Sequence, residues 1–162
     1  VSFVEKYKKG WVSGLPETPC GSGSRIANTE KQRAWIPEIA KKYGIRTVAD
    51  IGAGDLNWSP LMEWDVEYTP YDLVPRHESV KPLDVVKGCP KADMIMCLWV
   101  LNHFPKDDCI RALENICSSG SKYLLMTDKP GWHDSQPREI QMPFLESLDL
   151  GGGNRMLLID LQ

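Results

Sequence analysis

The chain has 162 residues, 42% of them hydrophobic and 25% charged, the size and composition of one globular domain burying about 70% of its unfolded surface. Its net charge of −3 lacks the basic excess of a protein that grips long nucleic acid. Its longest apolar run, residues 94–101, falls far short of the roughly 20 residues of a membrane span.

Residues 1–28 are rich in Gly, Ser and Pro and make a poor core, so they are expected to form an arm or lid beside a single domain over 29–162. Glu5, Lys6, Lys8 and Lys9 interrupt the apolar core that a signal peptide would need. The three lysines form the one basic cluster, and a solvated segment is the ordinary reading of such a run. A helix is predicted next. Thr29 and Gln32 form a capping-box pair, Trp35, Ile36, Ile39, Ala40 and Tyr43 supply an apolar stripe, and Gly44 ends it. Pro37 inside the stripe predicts a kink or a later start.

Strands then alternate with turns and helices. Residues 45–51 and 67–73 read as the first two strands, 80–86 as a short third, and 94–100 as a strand buried on both faces. Residues 106–118 read as a helix with Asp107 and Asp108 in its first turn, Ile110, Leu113 and Cys117 at helical spacing, and Gly120 beyond its end. A fifth strand is expected at 123–127 and a last at 156–161, paired with one near 144–148. This order predicts an α/β fold with a mostly parallel sheet, right-handed crossovers and an antiparallel last strand. Residues 57–65 and 74–79 are too short for full covering helices, so part of one sheet face is left to the arm or a partner. The five cysteines are odd in number and show no CxxC pair. Cys97, Cys109 and Cys117 read as core thiols, and a reducing cytoplasm suits them.

The sharpest signal is Asp50-Ile51-Gly52-Ala53-Gly54-Asp55, an apolar strand running into a Gly-x-Gly turn that a ligand can approach closely. Asn57 stands where a dinucleotide fingerprint has its third glycine, and no Gly-Lys-Ser/Thr follows to cradle phosphate. Asp50 and Asp55 repel pyrophosphate and suit a ligand carrying ammonium or sulfonium. Asp72, about 20 residues beyond Asp50, is placed to accept ribose hydroxyls. Asp84 falls where an adenine amino group is read, or is a turn residue.

These segments resemble motif I and the later acidic positions of class I S-adenosylmethionine-dependent methyltransferases. A wider pattern resembles a family of small methyltransferase-like proteins of poorly defined substrate. It comprises Gly21 to Ser24, Thr29, Arg33, Asp50 to Asp55, Trp58, residues 93–105, residues 118–127 and Pro143-Phe144. The resemblance implies a Rossmann-like sheet and S-adenosyl-L-methionine as cofactor, held by Arg33, Asp50, Gly52, Gly54, Asp55, Asp72, Leu73, Asp84, Cys97 and Leu98. Arg33 would meet the cofactor's carboxylate, or is an exposed helix residue. Leu98-Trp99 replaces an Arg-Asp pair usual in that family, so the roles of that pair do not carry over.

Methyl transfer needs in-line placement of a nucleophile, and an oxygen acceptor also needs a base. The candidates are His103, Asp128 and His133, with a structural role for His103 as the competing reading. Trp99 packs on the cofactor or fills the core. The absence of Asn/Asp-Pro-Pro-Tyr/Phe after the fourth strand removes the signature of amino methylation on DNA bases. No Cys/His cluster has metal-ligand spacing. The leading expectation is methyl transfer to a small molecule, sugar or other acceptor. A cofactor-binding regulatory module, and a nucleic-acid or protein methyltransferase docking its target through the arm, are the alternatives. The acceptor and the oligomeric state are not set by these residues.

Overall fold

The computed structural model describes residues 3–9, 16–128 and 143–162. Five strands run parallel: β1 (Thr47–Ile51), β2 (Glu67–Asp72), β3 (Lys81–Pro82), β4 (Met94–Cys97) and β5 (Tyr123–Asp128). Two more complete the sheet, β6 (Phe144–Gly151) and β7 (Asn154–Asp160), with β7 antiparallel to both of its neighbours. The order is β3-β2-β1-β4-β5-β7-β6. Strand order therefore reverses between β1 and β4, and the crevice beyond their carboxyl ends is where open α/β sheets take ligands.

The period of two in the central strands sorts their side chains onto two cores. Ala49, Ile51, Ile95, Cys97 and Leu124 face helix α3 (Lys106–Ser118), which buries Cys109, Ala112, Leu113 and Ile116 against them. Val48, Met94, Met96, Leu125, Met156 and Leu158 face the other way, onto Ile36, Ile39 and Ala40 of helix α2 (Glu30–Lys42). Ile36, Met94, Met96, Ile116 and Leu158 are wholly buried, and each such side chain contributes about 1.5–3 kcal/mol. A short helix, Phe3–Lys8, precedes these elements in the chain; as the first it is α1. No described helix is long and apolar enough to cross a membrane.

The predicted α/β order, the mostly parallel sheet and the antiparallel last strand are all present, and residues 106–118 form the predicted helix. Both short crossovers lack a full helix: a single 3-10 turn, Ser59–Leu61, lies between β1 and β2, and loop alone joins β2 to β3.

Several expectations are corrected. The third strand shrinks from residues 80–86 to Lys81–Pro82, because the chain turns at Asp84, whose Oδ1 accepts the Val86 N–H at 3.1 Å. The fourth strand ends at Cys97, because Trp99 takes a left-handed backbone (φ 59°) that breaks the ladder. The buried stripe of α3 runs through Cys109, Ala112, Leu113 and Ile116, so Cys117 is turned to solvent. Thr29 stands at the N-cap of α2, but its hydroxyl donates to the Ile26 carbonyl (3.0 Å) within the preceding turn and makes no capping-box bond. α2 starts at Glu30 and continues through Pro37, where the proline ring deprives the Arg33 carbonyl of its usual donor.

Candidate active site

β1 delivers the chain into the crevice at Ile51, and the next residues turn back at once. Gly52 and Gly54 have φ of 85° and 64°, which glycine adopts without steric penalty. The N–H groups of Gly52 and Ala53 both donate to the Tyr71 carbonyl (2.8 and 3.0 Å), tying the loop to the end of β2. Neither glycine has room for a Cβ. At Gly52 it would lie 2.2 Å from Val100 Cγ2, and at Gly54 2.8 Å from Cys20 Sγ. The Gly-x-Gly pattern thus serves close approach of two other segments, the turn after β4 and the N-terminal arm.

A cavity of about 560 Å3 opens over this loop. Its floor is Asp50 to Gly54, one side is Asp72, Leu73 and Leu83 to Val85, and the other is Leu98 to Val100 with His103 and Phe104. Tyr7 and Cys20 to Ser24, which precede α2 in the chain, also line it. Asn115 of α3 holds the Asp84 turn in place by donating to the Val85 carbonyl at 2.8 Å.

The carboxylates differ in their surroundings. Asp50 is buried and accepts a hydrogen bond from the Tyr68 hydroxyl, whose oxygen also lies 3.1 Å from Ser59 Oγ. Burial pushes Asp50 up to about 7, even though the Tyr68 bond opposes the shift. Asp72 is equally buried and densely bonded: Oδ2 accepts the Gly54 N–H and the Tyr7 hydroxyl, each at 2.9 Å, and Oδ1 accepts the Val74 N–H at 2.9 Å. Asp84 is partly open to the cavity while its other oxygen pairs with Lys87 at 3.2 Å. It is a turn residue and a wall residue at once.

Of the residues singled out from sequence, Asp50, Gly52, Gly54, Asp72, Leu73, Asp84, Leu98 and His103 come together around this cavity. Four others do not line it. Cys97 lies beneath the floor, 1% exposed, its thiol pushed up by burial. Asp55 lies past the Gly54 turn, outside the cavity lining, and its charge adds to burial in raising the Cys20 thiol to about 11. Arg33 donates to the Ile26 carbonyl at 3.3 Å. Asp128 ends β5 directly opposite Arg155 of β7, which donates to it at 2.6 Å. His133 lies outside the described residues.

Three other wall residues, Tyr7, Val85 and Asn154, had no motif to mark them, and Trp58 and Phe104 belonged to the wider family pattern without a role assigned. Trp99 packs against the α2-side core, as one of its two expected settings has it, and also forms part of the cavity wall. Its N–H donates to Thr127 Oγ1 at 2.7 Å, and its ring rests against Gly23. Strand alternation offered one unused signal, since Tyr68 sits on the same side of β2 as Val48 and Asp50 do on β1.

No family model matches the chain, and no curated protein matches it by sequence. The narrower resemblance to a small methyltransferase-like family therefore rests on its motifs. Solved structures do match. Magnesium protoporphyrin IX methyltransferase from Synechocystis, with S-adenosylmethionine bound, aligns at a TM-score of 0.63 and 16% identity, covering 85% of this chain and 79% of that one. The mitomycin 7-O-methyltransferase aligns at 0.63 and 19% identity over 83% of this chain, which spans only 54% of that enzyme. A S-adenosylmethionine-dependent methyltransferase from Aquifex aeolicus aligns at 0.57 and 14% identity, covering 86% and 95%. With the glycine loop at the β1/β4 reversal, these likenesses establish that the chain has the class I methyltransferase fold.

Proposed function

We propose that the chain is an S-adenosylmethionine-dependent methyltransferase whose cofactor lies in the crevice between β1 and β4. One observation carries this reading: Asp50, Asp72 and Asp84 surround a single cavity that has no lysine or arginine among its described lining residues. Such a wall repels pyrophosphate and suits a nucleoside bearing ammonium and sulfonium charges. The volume of about 560 Å3 lies within the usual range for small-molecule sites. The bound cofactor supplies a methyl group made electrophilic by its sulfonium.

The protein's share is binding and placement. Asp72 accepts ribose hydroxyls, Leu73 lies beside them, Asp84 accepts the adenine amino group, and Asp50 faces the cationic end. Leu98 and Trp99 occupy the side from which an acceptor enters, and orienting it supplies most of the rate. His103 is the proton acceptor for an oxygen or amine nucleophile, as the one described lining side chain of basic character. The aromatic wall of Trp58, Trp99 and Phe104 supports a small organic acceptor over a phosphate-bearing polymer.

Calorimetric titration with S-adenosylmethionine and S-adenosylhomocysteine tests the site. The wild type binds both, and Asp72→Ala weakens each by at least about tenfold through loss of a charge-assisted hydrogen-bond acceptor. Failure of both ligands to bind, or unchanged affinity in Asp72→Ala, overturns the assignment. Release of S-adenosylhomocysteine across a panel of acceptors, absent in His103→Asn, then separates an enzyme from a cofactor-binding module.

A further inference from the structure

The carboxylate of Asp72 has a bonding arrangement that bears on how a ligand enters. An ionised carboxylate offers about four acceptor sites. Three are filled, by the N–H groups of Gly54 and Val74 and by the hydroxyl of Tyr7. The two backbone donors are fixed by the loop and the end of β2. Tyr7 is different in kind: it comes from α1, 65 residues away in sequence. It is 8% exposed, and burial together with the Asp72 charge holds its phenol well above the usual tyrosine range, so it stays a donor at every physiological pH. Arg76, just beyond β2, grips the same residue twice. Its guanidinium lies 4.7 Å from the Tyr7 ring centroid, and Nη2 donates to the Tyr7 carbonyl.

A ribose diol brings two O–H donors, and only one acceptor site on Asp72 is left. Both hydroxyls are accepted only when the Tyr7 hydroxyl withdraws. We infer that Tyr7 is a latch: its hydroxyl occupies on Asp72 the place of a ribose hydroxyl and holds α1 closed over the cavity until a nucleoside ligand displaces it. This rests on the cofactor reading of Asp72 given above. The latch couples ligand entry to the arm, because Cys20 to Ser24 line the same cavity and Cys20 Sγ packs against the Gly54 turn.

The test uses the full chain, with S-adenosylhomocysteine as probe and Tyr7→Phe as the variant that removes one hydroxyl. Tyr7→Phe binds the probe about three- to tenfold more tightly than wild type, the range expected for losing one competing hydrogen bond. Amide exchange over residues 3–9 is faster in ligand-free Tyr7→Phe than in ligand-free wild type, and the probe accelerates it in wild type. Arg76→Ala, which frees α1 without touching Asp72, also tightens binding. Equal or weaker binding by Tyr7→Phe, or probe-induced slowing of exchange over 3–9 in wild type, overturns the latch and leaves the cofactor site standing. Absence of binding in wild type and variants alike overturns the cofactor reading and the latch together.

Discussion

Asp50 sits at the end of β1 with its charge removed from water, and its titration becomes a property of the fold. Its carboxyl is raised from an ordinary 3.8 to about 7, so the folded protein holds a proton there that the unfolded chain has released. A raised acid stabilises the fold fully below the unfolded pKa, and that contribution disappears as pH rises from about 4 through 7. Asp50→Asn keeps an acceptor for Tyr68 and removes the titration. Chemical denaturation of the ligand-free protein should therefore show Asp50→Asn gaining on wild type as pH rises from 4 to 7, by at most about 1.4 kcal/mol per unit. A difference that is flat across this range contradicts the buried, protonated Asp50. With the cofactor placed as proposed, the same linkage predicts that calorimetric affinity for S-adenosylmethionine rises with pH up to about 7 and levels off above it. Gly52 is a second residue-scale case. Gly52→Ala places a methyl 2.2 Å from Val100 Cγ2 at a backbone angle that alanine resists. It should lower stability by about 1–3 kcal/mol, and adding Val100→Ala should recover the clash but not the backbone strain. Full recovery in the double variant would mean that φ at this position is irrelevant.

At the scale of elements, much was legible because periodicity follows from covalent geometry. The apolar run beginning at Met94 identified β4, and the spacing from Lys106 to Ser118 identified α3 to the residue. The failures have local causes of a different kind. The stripe on α3 was phased one residue off, since Ile110 and Cys117 satisfy helical spacing as well as Cys109 and Ile116 do, and only contact with β4 and β5 decides between them. That choice has a measurable consequence. Ile116→Ala should cost about 2–5 kcal/mol in urea denaturation, while Cys117→Ala on the exposed side should stay within about 0.5 kcal/mol. Equal effects would restore the phase expected from spacing. The run after β4 was read as strand through Val100 because Leu98, Trp99 and Val100 continue the apolar run of a strand buried on both faces. Thr127 on the neighbouring strand captures the Trp99 N–H and turns the chain into the cavity wall instead.

For the whole molecule, the chain itself determined the α/β order, the parallel sheet with its antiparallel end, the glycine turn and the carboxylates Asp50, Asp72 and Asp84. These features are short in range: each depends on the period of side chains along a strand or helix, or on backbone freedom at one or two glycines. The tertiary structure decided which of the marked residues share a space. Asp128 and Arg33 satisfied the pattern and were drawn off by Arg155 and the Ile26 carbonyl, and Cys97 went beneath the floor. Tyr7 carried no pattern at all and reached the central carboxylate across 65 residues. Local rules specify what each segment becomes. Competition for a buried hydrogen-bond acceptor is settled only when distant segments meet, as Tyr7 and the Gly54 and Val74 N–H groups do at Asp72.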